Sequence, residues 1–142
     1  MATMPKLELT LVTPNKRIVE KAPLLEVFVP AYMGELEILP GHAPLITTLS
    51  IGVLKYKLEG WTELRKVAIS WGYCEVTADG QVNILAETAE GAEDIDLPRV
   101  EKARQDALEK LATVTYEEFE KYERKFQRAE ARINTVKPDA SH

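Results

Sequence analysis

The stretch Ile95-Asp96-Leu97-Pro98-Arg99 sets a carboxylate and a guanidinium three positions apart. Asp96 reads as a helix N-cap, and Pro98 is tolerated behind it because first-turn N–H groups have no intrahelical partner. An acid and a base at a helix start suit a cap with a surface arginine. They also suit a polyphosphate ligand lying between this turn and the arginines of a later helical segment, and the spacing leaves both open. Further on, Arg124, Arg128 and Arg132 fall four apart, with Lys121 and Lys125 among them. Guanidiniums on one helix face match carboxylates or phosphates. The bland account stands beside this one. Glu117, Glu118, Glu120 and Glu123 crowd the start of the same segment, as the helix dipole favours, and Glu120–Arg124 forms an i,i+4 pair.

Other candidates for chemistry are weaker. His42 lies in Pro40-Gly41-His42-Ala43-Pro44, where two prolines stiffen the loop. No Ser, Cys or carboxylate accompanies it in a nucleophile pattern, so an exposed interface loop is the expectation and an independent hydrolase the discarded one. Cys74 is the only cysteine, set in an apolar strand, and reads as a small core residue in a reducing compartment. With His42 and His142 as the only histidines, no metal-ligand spacing exists. Neither a P-loop nor a GxGxxG fingerprint occurs.

Two kinds of element position these residues. Leu7, Leu9 and Leu11 alternate, as in a half-buried strand. Arg17–Lys21, Leu24–Val29, Gly34–Leu39, Ile51–Leu58, Trp61–Ser70, Trp71–Val76 and Gln81–Glu87 also read as strands, with breaks at Pro23, Pro30 and Pro40 and a bulge or close approach at Gly72. Asp79-Gly80 is a hairpin turn, and Glu87–Asp94 reads as an acidic connector. The expectation is an antiparallel β-sandwich of about ten strands. Behind the junction there is no glycine. Leu97, Val100, Ala103, Ala107, Leu108 and Leu111 follow helical spacing. After Ala112–Val114, Thr115 to Glu118 has the form of a capping box. Phe119, Tyr122, Phe126, Ala129 and Ile133 then make a narrow seam for one partner helix. The fold class is therefore α+β. Residues 1–90 form the sandwich, and residues 91–142 form an antiparallel two-helix hairpin hinged at Ile95–Arg99.

The 142 residues are 45% hydrophobic and 29% charged, the balance of a soluble globular chain. A net charge of -5 argues against nucleic acid as a partner. Residues 1–96 carry 8 Lys/Arg against 14 Asp/Glu and residues 97–142 carry 10 against 9, so the helical part is the more basic one. The N-terminal residues, Met1 to Lys6, lack a basic segment followed by an apolar run, so no signal peptide is expected. No run of about 18 apolar residues exists to span a membrane, which leaves membrane association to a partner.

Several stretches together resemble the epsilon subunits of bacterial F-type ATP synthases. They are Gly34-Glu35-Leu36-Glu37-Ile38-Leu39-Pro40-Gly41-His42-Ala43-Pro44-Leu45, Gly72-Tyr73-Cys74-Glu75-Val76, Val82–Ala89 and Ile95-Asp96-x-x-Arg99 before a helical hairpin. The resemblance spans nearly the whole chain. It implies a non-catalytic central-stalk subunit that turns with the rotor at the cytoplasmic face of the bacterial inner membrane. Its sandwich would bind the gamma subunit and rest on the c-ring, with Glu35 and His42 in that surface. Its hairpin would fold on the sandwich or extend toward the alpha/beta catalytic subunits, where Lys121, Arg124, Lys125, Arg128 and Arg132 would block ATP hydrolysis. No cofactor is implied as required. Regulatory ATP is implied for some members, through residues matched here by Glu90, Ile95, Asp96, Arg99, Arg128 and Arg132. Val100 departs from the alanine of that motif, and Pro98 stiffens its first turn. A free-standing nucleotide-binding adaptor is the competing expectation.

Overall fold

In the computed structural model, which describes residues 6–138, seven strands precede two helices. The strands are β1 (Leu7–Val12), β2 (Arg17–Ala31), β3 (Gly34–Ile38), β4 (Leu45–Leu49), β5 (Gly52–Leu58), β6 (Arg65–Val76) and β7 (Gln81–Gly91). A 3₁₀ turn, Ala92–Asp94, leads to α1 (Leu97–Leu111) and α2 (Tyr116–Val136). The expectation of no signal peptide rests mostly on residues 1–5, and His142 lies beyond residue 138, so both fall outside the described residues.

The alternation of β1 holds: Leu7, Leu9 and Leu11 point inward with at most 2% exposure. β1 pairs antiparallel with β2 and parallel with β7. β7 pairs with β6, β6 with β5, and β5 with β2, so the path through these five strands closes on itself. Closure leaves no free edge along that ring and encloses the core. Its centre is Val27, Val29, Ile38, Leu54, Val67, Cys74, Val82 and Ile84. β3 extends β2 on one side, and β4 fits between β2 and β6.

The strand count is lower than expected because long strands run through the anticipated breaks. β2 passes Pro23 and Pro30, serving β1, β5 and β3 in turn. It bends at a bulge where Lys21 takes φ 45, and the Thr10 hydroxyl accepts the Lys21 N–H at 3.2 Å. β6 likewise passes from β5 to β4 through Trp71 (φ 33) and Gly72 (φ 151). The expectation at Gly72 is met in both senses, since a Cβ there would lie 1.8 Å from the Leu85 carbonyl oxygen. β7 absorbs most of the expected connector: Thr88, Ala89 and Glu90 pair with Ser70, Ile69 and Ala68.

Asp96 caps α1, its Oδ1 accepting the Arg99 N–H at 3.4 Å. Thr115 does not form the expected capping box: its side chain makes no cap hydrogen bond, and its backbone carbonyl takes the Glu118 N–H at 3.1 Å. Near the sandwich the helices form a small core, where Val100, Ala129 and Ile133 meet beside Ile95 and Leu97, and Ala107 is buried further along α1. Toward the tip the seam opens, leaving Leu108, Phe119 and Tyr116 exposed. α2 also buries a second face, Ala131 and Thr135, against β5 and β6. The Thr135 hydroxyl donates to the Ala131 carbonyl at 2.8 Å, which satisfies it inside the helix.

Candidate functional site

The residues flagged around the junction meet where the hairpin lies on the sandwich. A pocket of about 300 Å³ is lined by Glu90 from β7, Asp94 from the 3₁₀ turn, Ile95, Asp96 and Arg99 from the junction, Val100 and Ala103 from α1, and Arg132 from α2. Five of the six residues matched to nucleotide binding therefore converge. The sixth, Arg128, is not in the lining and stacks on Trp71 with its guanidinium carbon 4.9 Å from the ring centroid. Val100 is buried in the helix seam.

The charged side chains of the pocket carry one more acid than base, and two of them pair with each other. Arg132 Nε and Nη2 both lie 2.8 Å from Glu90 Oε1. Three carboxylates and two guanidiniums line the space, and one of those guanidiniums is already paired. The residues fit a nucleotide in kind but not in the arrangement seen. A triphosphate would need Arg132 to exchange Glu90 for phosphate oxygens and Arg128 to leave Trp71.

The junction is anchored from below. Arg65 at the start of β6 donates to the Glu93 carboxylate in the 3₁₀ turn. The residue's own backbone N–H, and then Arg65, hold the Glu93 carboxyl below the usual carboxylate range. Gly91 passes under this pair, and a Cβ there would meet Glu93 Oε1 at 2.6 Å and Arg65 Nη2 at 2.7 Å.

The basic stripe of α2 is engaged within the chain along its whole length. Lys121 and Lys125 lie 5.5 and 5.2 Å from the Tyr122 ring centroid. Arg124 and Arg128 lie 6.0 and 4.9 Å from that of Trp71. Arg132 holds Glu90. At the helix end, Lys66 Nζ donates to the carbonyls of Asn134 (2.9 Å) and Lys137 (2.5 Å), a cation placed on the negative end of the helix dipole. Between the helices Arg104 pairs with Glu130 and covers the Phe126 ring. Sequence reasoning missed Trp71, Lys66, Ala131 and Thr135. The positive backbone φ of Trp71 has no sequence signal, and small residues do not stand out in an apolar stripe.

On the sandwich, Glu35 is the second residue of β3, exposed, with Lys55 Nζ 3.8 Å away. His42 sits half-buried in the loop after β3, with Nδ1 2.6 Å from the Ala43 carbonyl oxygen. That carbonyl can only accept, so Nδ1 carries the proton and the ring is oriented by its own loop. Unforeseen apolar side chains also face outward. Tyr32 and Met33 are 69% and 82% exposed at the β2–β3 turn, and Ile46 and Tyr73 are 75% and 52% exposed on β4 and β6. Burial pushes the Cys74 thiol up to about 12, so it carries no reactive thiolate near neutrality. Among the described residues no acidic, His or Cys cluster could hold a metal ion, and no helix is long and apolar enough to cross a membrane.

Residues 6–92 match the family described as ATP synthase, Delta/Epsilon chain, beta-sandwich domain, and residues 93–137 match its long alpha-helix domain. The chain belongs to the ATP synthase delta/epsilon chain family. It is 45% identical over 132 residues to an ATP synthase epsilon chain of Bdellovibrio bacteriovorus, covering 92% of this chain and 94% of that one. It is 42% identical over 133 residues to an ATP synthase epsilon chain of Geotalea uraniireducens, at the same coverage. Its structure is similar to a chain in the Euglena gracilis mitochondrial ATP synthase (OSCP/F1/c-ring, rotational state 1). The TM-score is 0.83 and the identity 25%, covering 92% of this chain and 81% of that chain. A chain from the central stalk and c-ring of the Tetrahymena thermophila enzyme shares the fold, with a TM-score of 0.62, 17% identity and coverage of 96% of this chain.

Proposed function

We propose that this chain is a non-catalytic rotor subunit of an F-type ATP synthase. Its sandwich joins the gamma subunit to the c-ring at the cytoplasmic face of the bacterial inner membrane, and its hairpin restrains ATP hydrolysis when it leaves the sandwich. The observation that carries the regulatory part is the state of the α2 stripe. Five basic residues are held on the chain's own aromatic rings and on one carboxylate. Such contacts are weak singly, so an acidic partner surface competes with them directly. The open seam at the hairpin tip, with Tyr116 95% exposed, leaves apolar surface for the same partner.

The stalk part is supported by family membership and by the outward-facing Tyr32, Met33, Ile46 and Tyr73, which suit docking on protein rather than contact with water. Glu35 and His42 lie near these residues in sequence and belong to the same reading, in which contact with the membrane sector is made only through the complex. Co-purification tests it. The chain should form a stable binary complex with gamma, whereas a free-standing nucleotide-binding adaptor would elute alone.

Regulatory ATP is the second reading, favoured by the convergence of Glu90, Ile95, Asp96, Arg99 and Arg132 on one pocket. Its test is the isolated chain at millimolar ATP. A rise in Tm that is lost in Arg132→Ala supports it, and an unchanged Tm disposes of it.

A further inference from the structure

Trp71 is the one described residue besides Lys21 that carries a side chain at positive φ. Such a conformation is an outlier for a bulky residue, and strain of this kind points toward function. Glycine alone takes it without steric cost, yet an indole stands here in the middle of a core strand. It is only partly buried. Its outer side meets α2, where Arg124 and Arg128 lie 6.0 and 4.9 Å from the ring. Among the described residues neither guanidinium has an ion-pair partner: the expected Glu120–Arg124 pair does not form, and Arg124 turns to the Trp71 ring instead. The bulge at Trp71 and Gly72 is where β6 turns from β5 to β4. The strained backbone therefore lifts this side chain onto the face that the hairpin covers.

We infer that Trp71 is a latch. Its indole sequesters the two arginines and so holds the hairpin on the sandwich without any nucleotide. A guanidinium stacked on Trp71 is not available to an acidic partner, so docking of the arm and use of its arginines exclude each other. The inference rests on reading α2 as an arm that leaves the sandwich. It adds the residue that sets how often the arm does so.

The test uses the full chain with spin labels at Ala112→Cys, in the hairpin turn, and Ala78→Cys, in the β6–β7 turn. Cys74 is fully buried and stays unlabelled. Pulsed-EPR distances then report the docked and detached populations. Trp71→Gly removes the ring and suits the local φ. It should raise the ratio of detached to docked arm about tenfold, the scale of one half-buried cation–π contact, from Arg128, and one exposed one, from Arg124. Arg124→Gln with Arg128→Gln should do the same, and adding Trp71→Gly to that pair should add little. An unchanged ratio in Trp71→Gly, or independent effects of the ring and the arginines, overturns the latch. Hydrolysis by the assembled complex separates this from the functional reading. A shifted population with unchanged hydrolysis leaves the latch standing and removes the inhibitory role. An unshifted population removes the latch whatever the hydrolysis rate does.

Discussion

Arg132 of α2 holds Glu90 of β7 through Nε and Nη2, each 2.8 Å from the same carboxylate oxygen. The pair bridges the last strand of the sandwich and the second helix of the hairpin, 42 residues apart in the chain. Each side chain is about one-third exposed, so solvent screens the pair and its worth is modest, about 1 kcal/mol. Glu90→Gln and Arg132→Gln should each lower the stability of hairpin docking by that order, and the double variant should cost little more than either. A denaturation double-mutant cycle measures the coupling, and a coupling near zero means that the pair does not hold the arm.

The junction should be sensitive to acid. The Glu93 carboxyl is held below its usual range by its backbone N–H and by Arg65. A group depressed in the folded state adds stability above its unfolded pKa, about 4.3. That contribution is lost as pH falls through the folded pKa. Tm measured from pH 7 to pH 3 should fall more steeply in the wild-type chain than in Glu93→Gln, and parallel curves would contradict the assignment.

Gly72→Ala should be among the most damaging single changes in the sandwich. A Cβ there would collide with the Leu85 carbonyl at 1.8 Å, and that backbone belongs to the paired strand β7. Relief requires separating β6 from β7, so a loss of roughly 3 kcal/mol or more is expected. Chemical denaturation of the purified variant is the check, and a midpoint near the wild type would show that the strands yield more easily than their pairing implies.

Arg124, Arg128 and Arg132 changed together to Ala should relieve the inhibition of ATP hydrolysis in the assembled complex. The same change loosens the folded arm, so it acts on docking and on the inhibitory contact at once. Trp71→Gly loosens the arm while keeping the arginines and should strengthen inhibition. Opposite signs in a steady-state hydrolysis assay separate the two roles, and equal signs would show that the arginines act only by docking.

Elements governed by local patterning were legible in the amino-acid sequence. The alternation of Leu7, Leu9 and Leu11 placed β1. The loss of glycine after Gly91 and the onset of helical spacing placed the hairpin, and Asp96 marked its first turn. Breaks inferred from single residues fared worse. Pro23 and Pro30 lie within β2, because the strand changes partners along its length and includes a bulge at Lys21. The stripe on α2 was visible as charge, but its partners were not. Trp71 reaches Arg124 and Arg128 only through a local backbone conformation, and Glu90 reaches Arg132 only because β7 runs four residues beyond its expected end. The small residues Ala131 and Thr135, which lie against the sandwich, carry no periodic apolar signal. The pocket is therefore half-legible: its residue types show in the sequence, and its internal pairing appears only in three dimensions.

The central claim is that the hairpin restrains hydrolysis while the sandwich holds the stalk together. The most direct measurement is the steady-state rate of ATP hydrolysis by the assembled complex with the full chain and with the chain ended after Asp96. Removal of the hairpin should raise the rate severalfold while the complex with gamma remains intact. An unchanged rate in an intact complex would contradict the account and leave the chain a structural part of the stalk alone.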